Sequence, residues 1–174
     1  MSALTDDDRK ALLRLARSAI ESVLVKDTKI HRPEKLPPAL QEKRGCFVTL
    51  HKNSNLRGCI GSIEPESPLA EGVEENALNA AFRDPRFPPL KPSELSRIEI
   101  EVSVLTVPEK IEYQDADDLI RKLKPGIHGV ILSRGWQRST FLPQVWDQLA
   151  DVESFLGHLC MKAGMNADCW KSSE

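Results

Sequence analysis

Apolar residues recur at helical spacing from the start of the chain. In TDDDRKALLRLARSAIESVLVK, the residues Leu12, Leu15, Ala16, Ala19, Ile20 and Val23 form one stripe, the period of an amphipathic helix. Thr5 is placed to cap it, and Asp8 stands three residues on, as in a capping box. The acidic triplet Asp6 to Asp8 lies at the positive end of the helix dipole. A polar, proline-rich connector follows, HRPEKLPPAL, with Pro33, Pro37 and Pro38 excluding regular structure. Two strand-type runs then flank KNSN, predicting a β-hairpin from Gly45 to Ile63.

The period changes back to helical in ESPLAEGVEENALNAAFRD. Ser67 is the cap expected here, and Pro68 fits the first helical position. The face made by Leu69, Val73, Ala77, Ala80 and Ala81 is small, which predicts close packing, and Pro85 stops the helix at Asp84. RIEIEVSVLTV alternates strictly. Ile98, Ile100, Val102 and Val104 share one face, with Glu99, Glu101 and Ser103 on the other, as in a half-buried antiparallel strand. A short helix in DADDLIRKLKPG follows. A second hairpin in HGVILSRGWQRSTFLP turns near Arg134 and Gly135, and two final helices, LPQVWDQL and VESFLGHLCMKAG, end at Gly164 as the C-terminal cap. Strands arrive in neighbouring pairs rather than alternating with helices. This order predicts an α+β fold, mainly antiparallel sheet with flanking helices, not a doubly wound one.

Composition narrows the function classes. With 174 residues, 40% hydrophobic and 29% charged, the chain suits an ordinary globular protein with a core of real size. A formal charge of -2 makes nucleic acid an improbable main partner. MSALTDDDRK lacks the form of a secretory signal, and no apolar stretch reaches membrane-span length, so a cytoplasmic protein with reduced thiols is the expectation. Cys46, Cys59, Cys160 and Cys169 form no CxxC pair, and no metal site or cofactor is indicated. GxGxxG, GxxxxGK[ST], HExxH and GxSxG are absent, and His31, His51, His128 and His158 are scattered.

Two stretches carry candidate chemistry. In NLRGCIGSI, residues two apart share a strand face, so Arg57 and Cys59 are expected side by side. A guanidinium there would favour the thiolate, and Gly58 and Gly61 would admit a ligand or another backbone. Cys59 is thus a candidate nucleophile, with Arg57 its electrostatic partner; a buried core thiol is the plain alternative. In AFRDPRFPPL, Asp84 and Arg86 sit on a rigid, proline-dense loop, where an Asp–Arg turn or a carboxylate-binding site is expected. Trp136, Trp146 and Trp170 read as core or interface residues.

Seven blocks in order, GCFVTL, LRGCIGSI, AAFRDPRFPPL, IEIEVSVLTVPE, GIHGVIL, FLPQVW and FLGHLCMKAGM, resemble the AMMECR domain, whose prokaryotic members are called AmmeMemoRadiSam system protein A. The match runs from about Asp7 to Trp170. The resemblance implies one domain of two lobes, with both chain ends in the larger, and places LRGCIG at an interlobe cleft. It also implies association with Memo-like and radical-SAM proteins. On that basis the chain is expected to be an enzyme or enzyme subunit acting on an unknown small molecule, or else a non-catalytic binding or adaptor module. In the enzyme reading, Asp84 and Arg86 shape the wall opposite Cys59, and Gln144 offers a neutral hydrogen bond.

Overall fold

The computed structural model describes residues 3–64 and 66–171. Helix α1 spans Asp6–Leu24 and opens on the expected capping box: the Asp8 N–H donates to Thr5 Oγ1 at 3.2 Å, and the Thr5 N–H donates to Asp8 Oδ2 at 2.9 Å. Its stripe is buried from Leu12 to Ile20, but Val23 lies beyond the core and is 60% exposed. The proline-rich connector contains one helical turn, α2 (Pro38–Gln41), where none was expected. Pro38 has the backbone angle of a first helical residue, and Ala39 and Leu40 gain burial in the core.

Strands β1 (Cys46–Lys52) and β2 (Asn55–Ser62) form the predicted hairpin. Asn53 and Ser54 both take positive φ, 51° and 62°, the geometry of a tight hairpin turn. Helix α3 spans Leu69–Phe82. Pro68, not Ser67, occupies its cap position and no side chain caps it; the Leu69 N–H donates instead to the Glu42 carbonyl. The 3₁₀ turn Pro92–Arg97 leads into β3 (Ile98–Val104), whose alternation is as read. The three strands make an antiparallel sheet in the order β2-β1-β3. Cys46, Val48 and Leu50 of β1 face a core shared with α1 and α3. Burying Val48 and Leu50 contributes on the order of 1.5–3 kcal/mol each.

The remaining elements are α4 (Ala116–Lys122), the hairpin β4 (Val130–Arg134) and β5 (Gln137–Phe141), and α5 (Val152–Lys162), with 3₁₀ turns at Pro143–Asp147 and Cys169–Lys171. The antiparallel β4–β5 pair is a second, two-stranded sheet. Trp146 stacks on Phe155 in a separate apolar cluster with Leu119, Leu156 and Trp170, so two of the three tryptophans are core. Trp136, at the hairpin tip, is 91% exposed.

The chain divides into two contiguous units, 1–107 and 108–174. The N-terminal helix belongs to the first and α5 to the second, so the chain ends do not share a unit as the sequence reading had them. Each stretch of chain closes its own apolar cluster locally. The expectation of four reduced thiols is also corrected: Cys160 and Cys169 form a disulfide. Gly164, at φ 74°, reverses the chain after α5 and brings the final 3₁₀ turn back to the helix. Cys46 and Cys59 are free. Among the described residues no helix is long and apolar enough to cross a membrane.

Candidate functional site

The site grows from a register shift. Lys52 pairs with Asn55 and His51 with Leu56, but Leu50 then pairs with Gly58, leaving Arg57 as the extra residue of a β-bulge. A bulge re-aims side chains and breaks strand alternation. Arg57, only 9% exposed, therefore does not accompany Cys59 as the sequence predicts. Its Nε and Nη2 donate to the two carboxylate oxygens of Glu94, at 3.2 and 3.1 Å, and Nη2 also donates to the Pro88 carbonyl. Lys52 donates to the same Glu94 at 2.7 Å. Hydrogen bonds from Arg57 and then Lys52 hold the Glu94 carboxyl down at about 2. One Arg57 nitrogen, Nη1, is buried with no hydrogen-bond partner among the described residues.

Cys59 faces Thr49, with Sγ and Oγ1 3.2 Å apart. The backbone explains this closeness. The Cys59 N–H donates to Asp84 Oδ2 at 2.9 Å, and Arg86 Nη2 donates to the Cys59 carbonyl at 3.1 Å. Both main-chain groups thus turn outward from β1. Thr49 and Cys59 form a non-hydrogen-bonded pair, in which side chains approach most closely. Asp84 is almost fully buried at the end of α3 and binds Arg86 through both oxygens, at 3.0 and 2.7 Å. Hydrogen bonds from Arg86 hold its carboxyl well below the usual carboxylate range, and the pairing raises Arg86 in turn. Asp84 and Arg86 so occupy the free edge of β2 at Cys59, as a neighbouring strand would. The Phe87 ring centroid lies 5.9 Å from the Arg57 guanidinium carbon and 5.6 Å from that of Arg86.

The glycines serve packing. A Cβ on Gly58 would collide with the Ala80 carbonyl of α3, and one on Gly61 with the Phe47 ring and the Cys46 carbonyl. Gln144 lies in the second unit, exposed in the turn Pro143–Asp147.

A family model described as AMMECR1 matches residues 13–174. The chain belongs to the AMMECR1 family. A protein of Methanothermobacter thermautotrophicus is 45% identical over 172 residues, spanning 98% of this chain and 90% of its relative. Protein MJ0810 of Methanocaldococcus jannaschii is 43% identical, over 98% of this chain and 85% of its own length. The crystal structure of the uncharacterised protein PH0010 from Pyrococcus horikoshii superposes with a TM-score of 0.84 at 42% identity, covering 98% of this chain and 86% of that one.

In this AMMECR1-family chain the structure brings Arg57, Cys59, Asp84 and Arg86 into one cluster in the first unit, but pairs them differently from the sequence reading. The cation beside Cys59 is Arg86, and Arg57 belongs to Glu94. Sequence reasoning missed Thr49, Phe87 and Glu94. Counting back from the KNSN turn would set Thr49 opposite Gly58; the bulge moves it by one residue to Cys59.

Proposed function

We propose that this chain is a non-catalytic binding module, and that its recognition site is the Cys59–Arg86–Phe87 surface on the first unit. The observation that carries this reading is that the charged groups of the site are committed to one another. Arg57 and Lys52 share Glu94, and Arg86 embraces Asp84. The only polar side chain within hydrogen-bond reach of Cys59 Sγ, among the described residues, is the Thr49 hydroxyl, which is no general base. A nucleophilic thiol needs an activating base or a lowered pKa. The half-exposed guanidinium of Arg86, with the Phe87 ring beside it, supports a ligand that offers an oxygen acceptor, such as a carboxylate or carbonyl. The Memo-like and radical-SAM partners implied by the resemblance are the proteins such a module would serve, acting on a small molecule not yet identified.

The enzyme-subunit reading has one observation in its favour, the Arg86 charge beside Cys59. Two measurements separate the readings. Alkylation of Cys59 by iodoacetamide at neutral pH is expected to be no faster than that of a small model thiol, and Cys59→Ser is expected to keep the complex with the Memo-like and radical-SAM proteins intact. A thiol that reacts far faster than the model at neutral pH, with loss of turnover in the reconstituted mixture for Cys59→Ser, would reverse the assignment.

A further inference from the structure

The opposite edge of the same sheet is built differently. β3 is the outer strand, and four hydrogen bonds fix which of its groups face outward. Leu105 N–H donates to the Gly45 carbonyl, so residues of its parity, Ser103 and Glu101, turn toward β1. The outward Cys59 groups require the same, because they leave Thr49 to bond β3. Arg17 of α1 donates to the outward carbonyl of Ile98. The N–H and C=O groups of Ile100, Val102 and Val104 therefore form the outer edge. Beyond Arg17, no hydrogen bond to that edge is found among the described residues.

Beside this edge lies a groove of about 480 Å³, lined by Leu4, Leu12 and Leu13 of the N-terminal segment and by Ile100, Val102 and Val104 of β3, with one charge of each sign, Arg9 and Glu101, also in its wall. A helix running beside an open strand edge is the setting in which an extended peptide adds as a new strand, its backbone giving affinity and alternate side chains giving specificity. We propose that the groove between α1 and β3 binds an extended segment of a partner protein by strand addition, and that the segment alternates apolar with basic residues.

The alternation follows from register. Peptide residues opposite Ile100 and Val102 would point to the α1 side, against Leu12 and Leu13. Their neighbours would stand on the other face, opposite or diagonal to Glu99 and Glu101. Those two carboxylates are on the polar face with Thr49 and His51. Charge decides between occupants. Pairing β3 with a second copy of itself would bring the glutamates of both copies together, which disfavours that contact and protects the edge from self-association. A strand with Lys or Arg at those positions turns the same carboxylates into attraction. This surface is distinct from the Cys59 surface, and the inference does not depend on it.

The test uses the full chain and three synthetic octapeptides: alternating Val and Lys, alternating Val and Glu, and a scrambled Val/Lys control. Fluorescence anisotropy is expected to rank Val/Lys at least about tenfold above Val/Glu and above the scrambled control. The charge-swapped variant Glu99→Lys/Glu101→Lys is expected to invert the first preference. Hydrogen exchange at the Ile100 and Val102 amides is expected to slow when peptide is bound, while Cys59 alkylation is unchanged. Leu13→Asp, at a half-exposed position, is expected to weaken Val/Lys binding without unfolding the protein. Absence of binding, a scrambled peptide bound equally well, no protection at Ile100 and Val102, or a preference the swap leaves in place would each overturn the proposal. So would concentration-dependent self-association that protects the same amides, which would assign the edge to a second copy.

Discussion

Glu94, which nothing in the sequence singled out, ties two cations together. It holds Lys52 and the bulge residue Arg57 at once, with its own side chain only 12% exposed. Removing it strands a buried guanidinium, so Glu94→Ala is expected to cost on the order of 3–5 kcal/mol in urea unfolding. The pH dependence has a definite sign. The folded carboxyl sits at about 2 against an ordinary 4.5. Its stabilisation is complete above an ordinary glutamate's range and is lost as pH falls from 4.5 toward 2. The loss is on the order of 2 kcal/mol, allowing for solvent around the half-exposed Lys52. Asp84 adds to the slope in the same direction. In Glu94→Gln the urea midpoint between those pH values should flatten; an unchanged slope would remove Glu94 from the account. None of this was legible beforehand, because a charge pair 37 residues apart carries no local signal.

At the scale of elements, what was legible is what is local. The α1 stripe, its capping box and the β3 alternation depend on residues within a turn or a pleat of one another, and all three are seen. The Arg57–Cys59 pairing failed because it assumed an unbroken strand, and a bulge is set by the partner strand. The small face of α3 correctly signalled a close neighbour, and that neighbour is Gly58. Gly58→Ala is expected to cost about 1–3 kcal/mol, since backbone on both sides must move. Gly157, inside α5, is the useful contrast. A Cβ there meets Ala167 only at 3.5 Å and beyond, at ordinary contact. Gly157→Ala is therefore expected to be neutral or stabilising by up to about 1 kcal/mol. Thermal or urea unfolding of the two variants checks both signs; equal losses would show that conformation, not space, limits these positions.

For the whole molecule, the division into two contiguous units makes a prediction about where stability resides. The Cys160–Cys169 bond closes a loop within the second unit, nine residues apart in sequence. Cys160→Ser/Cys169→Ser is expected to lose on the order of 2–3 kcal/mol there. Amide exchange should accelerate across α5 and β5 while α1 and β1 keep their protection. Equal acceleration in both would show that the units unfold together. That bond was invisible in the sequence because it depends on the reversal at Gly164, which no cysteine spacing announces.

The three-stranded sheet treats its two margins unequally. At Cys59 the β2 margin is stoppered by the Asp84 and Arg86 side chains, whereas among the described residues the β3 margin is held only at Ile98. A sheet that can grow on one side alone is monovalent. Each chain therefore offers one seat for an added strand, and any further growth would run from that strand's own outer edge, not from this sheet.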